Sequence, residues 1–235
     1  MSRPHVLVAR QDSAGDVLLA GPAVRAVAAG AGRVTLLCGP RGREAAALLP
    51  GVDEVLVRHA AWIDAEPEPV TRSGVVALLD ELAGLALDQA LVLTSFHQSP
   101  LPLALVLRMA GVPTIAAISV DYPGALLDVR HRVDDDLHEV ERALSLAAAL
   151  GYRLPGGDDG RLAVRRSRRP RLVQARPPLP PAAQMRVGGT HHVAQAVGGV
   201  RSDELDPLGE VLVHEVLERA IEGVDGEPLG LQLVQ

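Results

Sequence analysis

At 235 residues and 48% hydrophobic content, the chain suffices for one large packed core or two small ones. A net charge of −6 disfavours a nucleic-acid surface. The lone Cys38 excludes a disulfide framework and points to a reducing compartment, the cytoplasm. No basic start followed by an apolar stretch and a small-residue cleavage site opens the sequence, so secretion is not expected. Lys and Asn are absent, the bias of a GC-rich coding sequence, so composition partly reports codon usage.

The apolar run His5 to Ala9 predicts a first strand, followed by the loop Arg10-Gln11-Asp12-Ser13-Ala14-Gly15 and a helix from Asp16 to Ala29. Further strands are predicted at Arg33 to Cys38, Glu54 to Val57, Gln89 to Thr94 and Thr114 to Ser119. Helices are predicted at Arg41 to Leu49, Arg72 to Leu85, Leu101 to Ala110 and Asp134 to Leu150. The stretch Leu101 to Val120 is the best membrane candidate, but Arg108 and Gly111-Val112-Pro113 interrupt it, so it reads as helix, turn and strand. Short apolar strands alternating with helices imply right-handed crossovers and a Rossmann-like, doubly wound α/β parallel sheet over residues 1–155.

Beyond Gly157 the pattern changes. Residues 156–202 read as a Pro/Arg-rich linker or disordered segment, because like charges and prolines bury too little surface to offset ordering entropy. Residues 203–235 hold one amphipathic helix around Leu208 to Ala220, capped by Asp203 or Asp206 ahead of Pro207. Charge divides between the two: residues 160–201 carry nine Arg and no acid, and 203–235 carry nine acids and one Arg.

Several residues invite chemical readings. By spacing alone Asp16 is a helix-starting acid more often than a catalyst, and Gly15 serves a tight turn. The loop Ser95-Phe96-His97-Gln98-Ser99 follows an apolar strand, which places its polar groups at a sheet edge where ligands bind. Asp134-Asp135-Asp136 is better explained by helix capping and the helix dipole than by a metal. Thr190-His191-His192 lacks a third ligand nearby. The Arg165 to Arg171 run reads as a solvated charge run.

The string Arg10-x(4)-Gly15-Asp16-Val17-Leu18-Leu19-x-Gly21-Pro22-Ala23-Val24-Arg25 resembles the opening of the heptosyltransferase-like glycosyltransferases, family 9. The resemblance continues through Pro50 to Val55, Gln98 to Pro102, Tyr122-Pro123-Gly124 and the helix from His138 to Leu150, and stops near Arg165. It implies the acceptor-side, N-terminal half of a GT-B fold, in which a sugar passes with inversion from a nucleotide-diphosphate donor to an envelope glycan. Asp16 is then the general base, with Arg10, Gly15, Ser95, His97 and Gln98 on the acceptor, while Arg25, nine residues into the helix, solvates a face. The implied partners are a nucleotide sugar such as ADP-heptose and a glycan or glycolipid acceptor, with peripheral contact at the inner membrane face. No cofactor, metal or nucleic acid is implied.

A second domain of this class opens with a strand near the Arg165 position, then presents His-Pro-Gly and Asp-[Ser/Thr]-Gly-x-x-His strings that hold phosphates; residues 160–235 contain neither string. A truncated relative and a reading-frame change near Arg165 both account for this, and the joint loss of motif and periodicity favours the frame change. Two alternative functions stand beside transfer: an inactive remnant that binds a glycan or a partner, and an unrelated nucleotide-binding α/β domain. The second is disfavoured because Gly15 is the only glycine in the first turn, where G-x-G-x-x-G is expected.

Overall fold

A computed structural model describes residues 2–134, 136–165, 170–173 and 232–234. Seven parallel strands form one sheet: β1 (His5–Ala9), β2 (Arg33–Cys38), β3 (Glu54–Val57), β4 (Gln89–Val92), β5 (Thr114–Ile118), β6 (Val129–His131) and β8 (Arg171–Val173), in the order β6-β5-β4-β1-β2-β3-β8. The period of two along β1 sends Val6 and Val8 into one apolar cluster and Leu7 and Ala9 into the other. Helices α1 (Ala14–Leu19), α2 (Gly21–Gly30), α3 (Arg43–Leu48) and α6 (Glu139–Ala149) cover the first face, and α4 (Arg72–Gly84) and α5 (Leu101–Met109) cover the second. A sheet buried on both faces needs strands that are apolar throughout, and β1 with its neighbours satisfies this.

The order reverses beside β1. After β3 the chain returns to lay β4 on the opposite side of β1, which opens a crevice at the carboxyl ends of β1 and β4.

Several element boundaries differ from the sequence expectations. The single helix expected from Asp16 to Ala29 is two, joined at Ala20, because Pro22 in the first turn of α2 has no N–H to donate to the preceding turn. The helix expected from Arg41 becomes a 3-10 turn, Pro40–Gly42, followed by α3. β4 and β5 end at Val92 and Ile118, so Thr94 and Ser119 belong to loops. α6 starts at Glu139 rather than Asp134, with His138 as its cap accepting from the Val140 N–H at 3.3 Å. Asp134 and Asp136 therefore lie ahead of the helix, and the first-turn acids are Glu139 and Glu141.

Packing continues past residue 155. Ala163 and Val164 are buried in β7 (Ala163–Arg165), which pairs in parallel with β9 (Gln232–Val234) as a second, two-stranded sheet, and β8 extends the main sheet beside β3. Val164 packs with the cluster under α2 and α6. Strand signals are weak there because β7 and β8 are three residues each and rich in Arg. The Thr190-His191-His192 group and the helix expected around Leu208 to Ala220 lie outside the described residues. Among the described residues no helix is long and apolar enough to cross a membrane.

Candidate functional site

The loop after β1 is shaped by a reciprocal cap. Ser13 accepts from the Asp16 N–H at 3.3 Å, while Asp16 Oδ2 accepts from the Ser13 N–H at 3.1 Å and from the Ser13 hydroxyl at 2.7 Å. This capping box satisfies N–H groups that a helix start leaves without partners. Its effect is to pin the Asp16 carboxylate at the crevice mouth, partly open to solvent.

Beneath it lies Arg10, with only 4% of its side chain exposed. Nη2 donates to Asp16 Oδ1 at 3.0 Å and to Ser95 Oγ at 2.8 Å, and Nη1 donates to Glu139 Oε2 at 3.1 Å. Nε lies 2.9 Å from Asp12 Oδ2, within ion-pair distance but off the hydrogen-bond direction, so that contact is chiefly Coulombic. Ser95 completes the ring by donating its hydroxyl to Asp12 Oδ2 at 3.1 Å. A buried guanidinium requires such compensation, and here it comes from β1's loop, β4's loop and α6 at once.

This network sets the chemistry of Asp16. Burial works against ionisation, but the Ser13 hydroxyl and the Arg10 guanidinium outweigh it and hold the carboxyl below the usual carboxylate range. Asp16 is therefore anionic at neutral pH and a weak base in this geometry, one suited to accept a proton only as a neighbouring bond breaks.

The other expected site residues divide by how much bonding capacity they retain. The Ser95 hydroxyl is engaged on both sides, by Arg10 and by Asp12. Gln98 turns its carbonyl back onto the Ser95 N–H at 3.1 Å, which closes the loop. His97 is exposed and stands edge-on to Phe96, with ring centroids 4.7 Å apart. Gly15 lies within the first turn of α1. Arg25 does not solvate a face: it is bonded to both oxygens of Asp158, at 2.6 and 2.8 Å, and ties α2 to the segment after α6. The 133-residue separation of that pair hides it from local pattern.

Beyond Ser95, past the tips of β4, β5 and β6, opens a cleft of about 620 Å³. His97 and Gln98 line one side, and Asp121, His131, Arg132 and Arg142 complete it. These last four were not anticipated from the sequence. His131 sits on β6, whose three residues Val-Arg-His carry no apolar alternation, and Arg142 lies on a helix whose polar face gives no sign of which residue turns inward. His131 Nε2 bonds Ser145 Oγ at 3.0 Å, and the Ser145 hydroxyl donates to the Arg142 carbonyl at 2.8 Å. Ser145 has spent its proton, so Nε2 must be the protonated nitrogen and Nδ1 the bare acceptor. Burial lowers the His131 pKa, which favours that neutral ring.

Comparison with solved structures locates this architecture. A glycosyltransferase family 9 protein from Veillonella parvula DSM 2008 matches over 69% of this chain and 45% of its own, with a TM-score of 0.52 and 15% identity. The E. coli heptosyltransferase WaaC, solved with ADP-2-deoxy-2-fluoro heptose, matches over 67% of this chain and 51% of its own, with a TM-score of 0.52 and 18% identity. Over the matched residues the chain shares the fold of these two proteins. It spans about half the length of these solved structures. No protein-family model and no curated protein matches the sequence.

Proposed function

We propose that this chain is the acceptor-side half of a heptosyltransferase-like glycosyltransferase, with Asp16 as general base for sugar transfer with inversion. The observation that carries the reading is the position of Asp16, held anionic by Ser13 and Arg10 at the switch-point crevice of a fold shared with family 9. An acceptor hydroxyl presented there loses its proton to Asp16 Oδ1 or Oδ2 as its oxygen attacks the donor's anomeric carbon and the diphosphate departs. Arg10 then steadies the carboxylate, not the leaving group. His97 and the amide nitrogen of Gln98 hold acceptor hydroxyls on the cleft wall, and Ser95 and Gly15 shape the loops that present them. The donor is a nucleotide sugar, ADP-heptose among the candidates; the acceptor is an envelope glycan or glycolipid met at the inner face of the cytoplasmic membrane.

A second reading is that this chain binds a glycan or a partner without turnover. The sequence holds neither His-Pro-Gly nor Asp-[Ser/Thr]-Gly-x-x-His, the strings that grip donor phosphates in the class it resembles. The two readings separate in one assay: ADP release from ADP-heptose, with core oligosaccharide, by the chain alone and by the chain supplied with a donor-side half. Transfer is expected only in the second case, and Asp16→Asn should lower it by a factor on the order of 10² or more while leaving the melt intact, since Asn keeps most of the helix-start bonding. A well-folded Asp16→Asn protein with parental turnover refutes the base assignment.

A further inference from the structure

Glu139, the first residue of α6, stands between two arginines. Its Oε2 accepts from Arg10 Nη1 at 3.1 Å, while its Oε1 lies 3.5 Å from Arg142 Nε, a contact of charge without a hydrogen bond. The helix dipole accounts for an acid in a first turn, but not for one that reaches across to the loop after β1, 129 residues away in sequence. Arg10 is thereby held by three carboxylates at once: Asp12 at Nε, Asp16 at Nη2 and Glu139 at Nη1. A single cation cannot neutralise all three. Asp12 is buried and bonded to Ser95, whereas Asp16 and Glu139 are both partly exposed and divide the two terminal nitrogens of the fork between them.

We propose that Glu139 is a positioning residue for Asp16: it fixes the Arg10 fork with Nη2 toward Asp16 and, by drawing on the same positive charge, keeps Asp16 a stronger base than a carboxylate paired with Arg10 alone. The role rests on the reading of Asp16 as general base, whereas the coupling is a property of the folded chain and is measurable without transfer. Two carboxylates on one cation repel each other, so each raises the other's affinity for a proton. Arg10 and Ser13 pull the Asp16 carboxyl down, and Glu139 limits how far. No other charge substitutes for it. Arg41, Arg43 and Glu44, on the turn and helix packed against α1, make no hydrogen bond or ion pair with Asp16 among the described residues, and Arg25 of α2 is bonded to Asp158. Glu141, also in the first turn of α6, is exposed and pairs with neither Arg10 nor Arg142.

The test is a double-mutant cycle on the full chain, with Glu139→Gln, Asp16→Asn and the pair followed by urea unfolding at pH 7. Like charges on two arms of one guanidinium, both partly open to water, should couple by about 0.5 to 1 pH unit, a factor of about 3 to 10 in an equilibrium constant. Each single variant leaves the other carboxylate to hold Arg10 unopposed, so the unfolding constant of the double variant should exceed the product of the single effects by that factor. In NMR titrations the Asp16 midpoint should fall by about 0.5 to 1 unit in Glu139→Gln, a shift that a residue serving only to start the helix does not give. Should the fold give way in acid before Asp16 titrates, the cycle decides alone. In the transfer assay with a donor-side half, Glu139→Gln should lower kcat about two- to threefold and leave the acceptor KM in place, because the base is weaker while its surroundings are kept. Additive effects in the cycle, an Asp16 midpoint that stays or rises, or an unchanged kcat overturns the Glu139 assignment and leaves the base reading standing. Parental turnover by a folded Asp16→Asn protein overturns the base reading and with it the positioning role, whatever the cycle shows.

Discussion

Replacing Arg10 with Met tests whether the buried network holds the crevice together. Met keeps much of the aliphatic volume and deletes the guanidinium, so three carboxylates lose their shared cation. They do not lose equally. The Asp16 and Glu139 side chains are 27% and 29% exposed and can recover hydration, whereas that of Asp12 is 5% exposed. Asp12 would keep only the Ser95 hydroxyl on Oδ2, because its Oδ1 already has no partner. Breaking a buried pair by removing one member costs about 3–5 kcal/mol, and nearly all of that should come from Asp12. At about 2–4 °C per kcal/mol for a domain of this size, the melting temperature should fall by roughly 6–20 °C. Urea unfolding measures the cost directly, and adding Asp12→Asn should return most of it by removing the stranded charge. The same variant relieves Asp16 of a neighbouring cation, so its carboxyl should titrate closer to the usual range by NMR. A loss below about 1 kcal/mol, the scale of an exposed pair, would refute the buried-charge argument.

Gly39 should be nearly irreplaceable: a Cβ there would stand 2.6 Å from the Gln11 carbonyl oxygen, and its φ of −74° makes the conflict one of space, not of backbone preference. Gly39→Ala is expected to cost about 1–3 kcal/mol in urea unfolding, and an unchanged midpoint would show that the two loops are not in contact. Stability should also fall as pH drops from 7 to 5. Burial lowers the pKa of His131, and burial with the Arg33 charge lowers that of His5, so between the ordinary imidazole value of 6.5 and the depressed folded values the unfolded chain binds more protons. This contribution is complete above pH 6.5 and is lost on acidification through the folded pKa. His131→Gln should flatten that slope in melts recorded across the range, and an identical slope would assign the acid sensitivity elsewhere.

Much of the architecture follows from local pattern. β1, β2 and β3 fall on the residues expected of them, because a short β-branched run bounded by Gly, Pro or Asp has few other ways to bury itself. The Gly15-Asp16 turn, the strand-to-helix entry and the crevice edge were likewise readable from the first twenty-five residues. Boundaries moved where two local signals compete within one segment. Pro22 splits one apolar period into two helices, and His138 takes the cap position that the sequence assigns to the Asp134 to Asp136 run.

The candidate site was legible only in part. Asp16 and the loop from Ser95 to Gln98 were marked by their order along the chain, but their partners were not. Arg10 meets Glu139 across 129 residues and Ser95 across 85, and Arg142 reaches the cleft because α6 packs against β5 and β6. Periodicity states which face of an element is buried; it carries no record of which other element arrives there. That choice is made by strand order, here by β4 returning to the far side of β1, which brings the loops after β1 and β4 together and leaves a buried arginine at their junction to be neutralised by whatever acids the fold delivers.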